Sequence, residues 1–85
     1  MDEFAFSPQF LRELTEWEQR GSAKDKEALD EALAAIVKNP ALAGRAPSFY
    51  DPVAPSYLYR VGAVLIHYRI VKDQVEFLNL FYRRG

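Results

Sequence analysis

The last third of the chain, Tyr57 to Gly85, holds three short runs of β-branched, aliphatic and aromatic residues separated only by Gly62-Ala63 and Lys72-Asp73. Breaks of two residues leave no room for a crossover, so neighbouring runs must pair as antiparallel hairpins. Gly62-Ala63 suits a type II′ turn, in which glycine tolerates the positive φ of the first central position. With both turns taken as two residues, Val61 faces Val64, Tyr59 faces Ile66 and Tyr57 faces Tyr68 on one side of the sheet. Ile70 then faces Val75, Tyr68 faces Phe77 and Val64 faces Phe81 on the same side. That side is almost wholly apolar and must be covered. A slip of one residue would exchange the two faces.

The preceding residues supply the cover. Glu3-Phe4-Ala5-Phe6 alternates as a short strand. Ser7-Pro8 then gives an N-cap followed by proline at the first helical position, where its missing N–H costs nothing. Phe10, Leu14 and Trp17, with Leu11 beside them, predict a helix from Pro8 to about Arg20 with one buried face. Gly21 ends it. Ser22 caps a second helix, Asp25 suits its positive end, and Leu29, Leu33, Ile36 and Val37 form its stripe. Asn39-Pro40 stops that helix, because a residue before proline is pushed out of the α region. Ala41 to Pro55 has no clear period and reads as an ordered loop packed through Phe49 and Tyr50. The expected fold is α+β, in the order β-α-α-β-β-β, with a helical hairpin packed on one face of an antiparallel sheet. The 85 residues allow one domain, residues 1–85. A chain of this size buries only roughly 60% of its unfolded surface, so most apolar residues must share one core.

Composition removes several classes of function. Cysteine is absent and His67 is the lone histidine. Neither disulfides nor a thiolate or histidine-rich metal site can form, so no metal or cofactor is expected. No apolar run approaches the roughly 18 residues that span a bilayer, and Met1-Asp2-Glu3 is unlike a secretory signal, so the expectation is a cytoplasmic chain that does not enter a membrane. A net charge of −1 lacks the basic footprint of a protein that tracks a nucleic-acid backbone.

The outer face of the meander carries the functional question. The same pairing places Arg60 by Leu65, Leu58 by His67, Arg69 by Glu76 and Leu65 by Leu80. Leu58, Leu65, Leu78 and Leu80 would then form an exposed aliphatic patch of the kind that marks an interaction surface, unless the loop from Ala41 to Pro55 folds over it. His67 has an ordinary pKa near 6.5, suited to proton transfer, although a single histidine on a mixed sheet face is more often a packing residue. Arg69 and Glu76 read as a cross-strand pair worth at most about 1 kcal/mol. Tyr82, Arg83 and Arg84 offer a contact for a target or nucleic acid, or a frayed terminus.

Phe6-Ser7-Pro8 with Phe10, Asn39-Pro40 followed by a glycine, Tyr59-Arg60-Val61-Gly62, and Val75-Glu76-Phe77-Leu78 with Tyr82-Arg83-Arg84 together resemble the RelE/ParE superfamily of small toxins from bacterial toxin–antitoxin pairs. The resemblance covers nearly the full length. It implies a cognate antitoxin that wraps a helix or strand around the toxin, for which Leu58, Leu65, Leu78 and Leu80 are the expected surface. The assembly would be a homodimer or a toxin–antitoxin hetero-oligomer. The basic positions of the family's ribosome-dependent RNases are not matched: the strand arginine after the turn aligns with Leu65, and Ser56 and Leu58 stand where lysines are frequent. That departure favours a toxin acting by protein binding, with a topoisomerase such as DNA gyrase as its target. The alternatives are an endoribonuclease working on the ribosome, or a degenerate, non-toxic binding module. A ribonuclease site would use His67 for proton transfer and Arg84 for the phosphate, with Arg60, Arg69, Tyr82 and Arg83 as further target or nucleic-acid contacts.

Overall fold

The computed structural model describes residues 3–48 and 55–82. Its elements are β1 (Phe4–Phe6), α1 (Pro8–Glu18), α2 (Ala23–Lys38), β2 (Ala46–Ser48), β3 (Ser56–Val61), β4 (Val64–Val71) and β5 (Gln74–Tyr82). The strands form one sheet in the order β1-β5-β4-β3-β2. The three-strand meander is antiparallel, as the two-residue turns require. β1 instead lies parallel to β5, with Phe4 opposite Val75 and Phe6 opposite Phe77, so the sheet as a whole is mixed. Chain order permits this: two helices and the earlier strands separate β1 from β5, long enough to return the chain in the same direction. The sequence alone predicts a loop where β2 lies. It pairs with β3 through Ala46 and Leu58, and its Pro47 is tolerated because β2 is an edge strand.

Local chemistry sets both helix starts. The Ser7 hydroxyl accepts from the Phe10 amide and donates to the Leu78 carbonyl, while Ser22 accepts from the Asp25 amide. α1 ends at Glu18, and both Arg20 and Gly21 amides donate to the Trp17 carbonyl. Gly21 sits close under the Trp17 indole: a Cβ would lie 3.2 Å from the ring, a tight contact that the ring would have to relieve by shifting a few tenths of an ångström. Both helices turn their apolar stripes onto the sheet. Phe10 and Trp17 of α1 and Leu29, Ala32 and Ile36 of α2 form one core with Val64, Ile66, Tyr68, Val75, Phe77 and Leu80. Phe6 stacks between Phe10 and Phe77, with ring centroids 5.3 and 5.2 Å away.

The register departs from the simple pairing at one point. His67 pairs with Asn79 and Tyr68 with Phe77, so Leu78 is an extra residue, a β-bulge. Before the bulge Ile70–Val75 and Tyr68–Phe77 pair as expected. Beyond it the faces exchange. Val64 faces Tyr82 rather than Phe81, and Leu65 faces Phe81 rather than Leu80. The cause lies in residue chemistry. An unbulged strand would bury the Asn79 amide among aliphatic side chains and leave Leu80 outside, at the cost of an unpaired polar group in the core.

Where β1 stops, α1 takes over the edge of β5. Glu13 accepts from the Leu80 amide at 3.0 Å and Glu16 accepts from the Tyr82 hydroxyl at 2.8 Å. On the far side, the Tyr68 hydroxyl and the Arg45 guanidinium both donate to the Pro40 carbonyl, and Arg45 lies 4.1 Å over the Tyr57 ring. These bonds pin the segment leaving α2 to the sheet.

Candidate functional site

Alternation along the strands, corrected for the bulge, places Ser56, Leu58 and Arg60 of β3, Leu65, His67 and Arg69 of β4, and Glu76, Asn79 and Phe81 of β5 on the outer face. At its centre His67 is only 1% exposed. Its Nδ1 lies 2.9 Å from Asn79 Oδ1 and its Nε2 lies 2.8 Å from Ser56 Oγ. The amide oxygen can only accept, so Nδ1 donates to it, and in the neutral ring Nε2 then accepts from the serine hydroxyl. The Phe81 ring stacks beside the imidazole, 6.1 Å between centroids. Arg69 donates through Nε to the Glu76 carboxylate at 2.8 Å. An open depression of about 470 Å³ adjoins this group, lined among others by Gln9 and Arg12 of α1 and by Arg69, Leu78 and Asn79.

No protein-family model matches the sequence, and no curated protein matches it. Solved structures do. The YoeB dimer of Staphylococcus aureus aligns with a TM-score of 0.72 at 21% identity, over 98% of each chain. The archaeal RelE–RelB complex of Pyrococcus horikoshii OT3 aligns at 0.70 and 15%, over 96% of this chain and 94% of that one. The heterotetrameric YoeB–YefM toxin–antitoxin complex of S. aureus aligns at 0.69 and 21%, over 99% of each. This chain has the RelE/YoeB toxin fold. At these identities the likeness is one of fold, and it agrees with the α+β architecture expected from the sequence.

Within that toxin fold the expected site residues separate. Arg60, His67 and Arg69 share the outer face. Tyr82 does not: the bulge turns it to the helix side, where Glu16 holds its hydroxyl. Arg83 and Arg84 lie outside the described residues, as do Phe49 and Tyr50. Leu58, Leu65 and Leu78 are half-buried on or beside the outer face, whereas Leu80 is 1% exposed in the core, so the expected aliphatic patch is not continuous. Phe81 replaces Leu80 on that face and is exposed.

Sequence reasoning missed Ser56 and Asn79 as the partners of His67. Ser56 was legible, since the β3–β4 register sets it two residues from Leu58, the residue opposite His67. Asn79 was not, because only the bulge brings it to this face.

Among ionisable groups, burial pushes the Tyr68 phenol above its ordinary range, against the opposing pull of Arg45. Among the described residues no three His, Asp or Glu side chains converge to hold a metal ion, and no helix is long and apolar enough to cross a membrane.

Proposed function

We propose that this chain is the toxin-type member of a toxin–antitoxin pair and acts in the cytoplasm by binding proteins: its antitoxin and a target such as DNA gyrase. The observation that carries the reading is the state of His67. A general acid or base must reach a substrate proton within hydrogen-bond distance, yet both ring nitrogens of His67 are bonded to other side chains and the ring is buried. Arg69, a candidate phosphate clamp on the same face, is engaged by Glu76. The toxin fold, seen in neighbours that form dimers and toxin–antitoxin complexes, supports an antitoxin partner and a dimer or hetero-oligomer as the assembly.

Induction of the chain alone in a bacterial host, followed by growth, mRNA integrity and plasmid supercoiling, tests the reading. The expected outcome is growth arrest with intact mRNA, altered supercoiling and rescue by a co-expressed antitoxin. Cleavage of mRNA that disappears in His67→Gln would replace this reading with the ribosome-dependent endoribonuclease. Normal growth in every host tested would leave a non-toxic binding module.

A further inference from the structure

Ser56, His67 and Asn79 are all buried on the outer face, although aliphatic side chains would cover those positions without desolvating a polar group. They form a row across β3, β4 and β5. Nδ1 of the imidazole donates to Asn79 Oδ1 at 2.9 Å, and in the neutral ring Nε2 is left as an acceptor 2.8 Å from Ser56 Oγ. A hydroxyl, a base within hydrogen-bond reach and a third group that sets the base's tautomer are the parts of a catalytic triad. An amide takes the orienting place here, as it does in Cys-His-Asn proteases. The bonds that keep His67 from a substrate's own proton aim it at the proton of Ser56.

The surroundings supply the other parts of a site. Arg69 stands directly across from Ser56 on β4, and its bond to Glu76 uses Nε, one of the guanidinium's five N–H donors. The open depression of about 470 Å³ is lined by His67, Arg69 and Asn79 together. Its charged side chains are Arg12 and Arg69, with the positive end of α1 beside them, so it suits a negatively charged group.

We propose that Ser56 is a nucleophile for acyl transfer, acting on small carboxylic esters whose acyl group carries a negative charge. Ser56 Oγ attacks the ester carbonyl carbon while its proton passes to His67 Nε2. The carbonyl electron pair moves to oxygen, where Arg69 stabilises the oxyanion. That pair then reforms the carbonyl, the bond to the alcohol oxygen breaks, and the Nε2 proton leaves with the alcohol. Water repeats the sequence on the acyl-serine, which releases a carboxylic acid and restores Ser56. Asn79 is a positioning residue that holds the ring through Nδ1, and Arg12 pairs with the charge of the acyl group. This activity goes beyond the toxin reading and does not rest on it.

Mixing the full chain with mono-4-nitrophenyl terephthalate tests the proposal. A burst of 4-nitrophenolate should appear, about one equivalent per chain, with the terephthaloyl mass on the peptide that carries Ser56. Ser56→Ala should abolish the burst, and His67→Gln should slow it by about a hundredfold or more. Arg12→Ala should remove the preference for this ester over 4-nitrophenyl acetate. Loss of a buried side chain can also unfold the chain, so Asn79→Asp supplies a readout in the opposite direction. Its carboxylate would stabilise the imidazolium formed during attack and should speed acylation at least about tenfold, which a purely structural row of bonds would not do.

No burst from the folded parent at millimolar ester, acylation at a residue other than Ser56, or a burst that survives His67→Gln would overturn the proposal. Growth arrest or its absence bears on the toxin reading alone.

Discussion

At the scale of residues, His67 shows how one side chain can be kept from solution chemistry by two neighbours. Removing Asn79 would leave the buried Nδ1–H without its acceptor, and such an orphan costs about 1–3 kcal/mol. Asn79→Ala should therefore lower stability in urea by that amount. Pairing it with His67→Ala should give a coupling energy of at least about 0.5 kcal/mol in a double-mutant cycle, whereas additive losses would mean that the bond contributes nothing. Tyr68 makes a prediction in pH. Its phenol is raised in the folded protein by burial, so its contribution is fully present below the unfolded value near 10 and is lost as pH rises from there through the folded value. Tyr68→Phe removes the bond to the Pro40 carbonyl, which should cost about 1 kcal/mol at neutral pH. The same variant should flatten the alkaline fall in stability; a limb as steep as the parent's would assign it to other groups.

At the scale of elements, the two hairpin turns differ in how well sequence matches geometry. Gly62 has φ of 59° and Ala63 stays out of the positive region, the φ signature of the II′ turn its sequence predicts. Lys72 and Asp73 have φ of 51° and 61°, the pattern of a type I′ turn, which favours asparagine and glycine. The hairpin forms despite its turn residues, held by the strands on either side. Replacing Lys72-Asp73 with Asn-Gly should raise stability by about 1 kcal/mol, read as a higher denaturation midpoint with an unchanged slope. Most elements were legible for the same physical reasons that make them stable: Ser7-Pro8 and Ser22 mark helix starts, Asn39-Pro40 marks a stop, and the stripes of α1 and α2 mark their buried faces. β2 was not legible. Its three residues, Ala46-Pro47-Ser48, carry no strand pattern of their own and are strand only because β3 offers an open edge.

At the scale of the whole molecule, Leu78 decides which functional surface the protein presents. The sequence-level pairing treats β5 as a regular strand, and it succeeds from Gln74 to Phe77. Past that point it inverts every assignment: Leu80 enters the core, Asn79 reaches His67, Phe81 faces solvent and Tyr82 meets α1. No local propensity announces the extra residue. What demands it is the global requirement that Leu80 be covered and the Asn79 amide be paired, together with the fit of α1 against the β5 edge through Glu13 and Ser7. The candidate site was accordingly readable up to His67 and Arg69, and unreadable at Asn79, Leu80 and Tyr82. Deleting Leu78 separates the bulge from the pairing beyond it. Leu78 is the one residue of β5 without a partner on β4, so the shortened strand keeps Phe77 opposite Tyr68 and sets Asn79 opposite His67 and Leu80 opposite Ile66 as a regular ladder. The core and the bonds to His67 are retained, and what is lost is the Leu78 carbonyl that accepts from Ser7. Such a bond contributes about 0.5–1.5 kcal/mol, against about 5–10 kcal/mol in total for a domain of 85 residues. The deletion variant should therefore fold, with a lowered denaturation midpoint and an unchanged slope. If it is instead unfolded by circular dichroism, the bend of the bulge itself, and not only the pairing beyond it, is what fits β5 against α1.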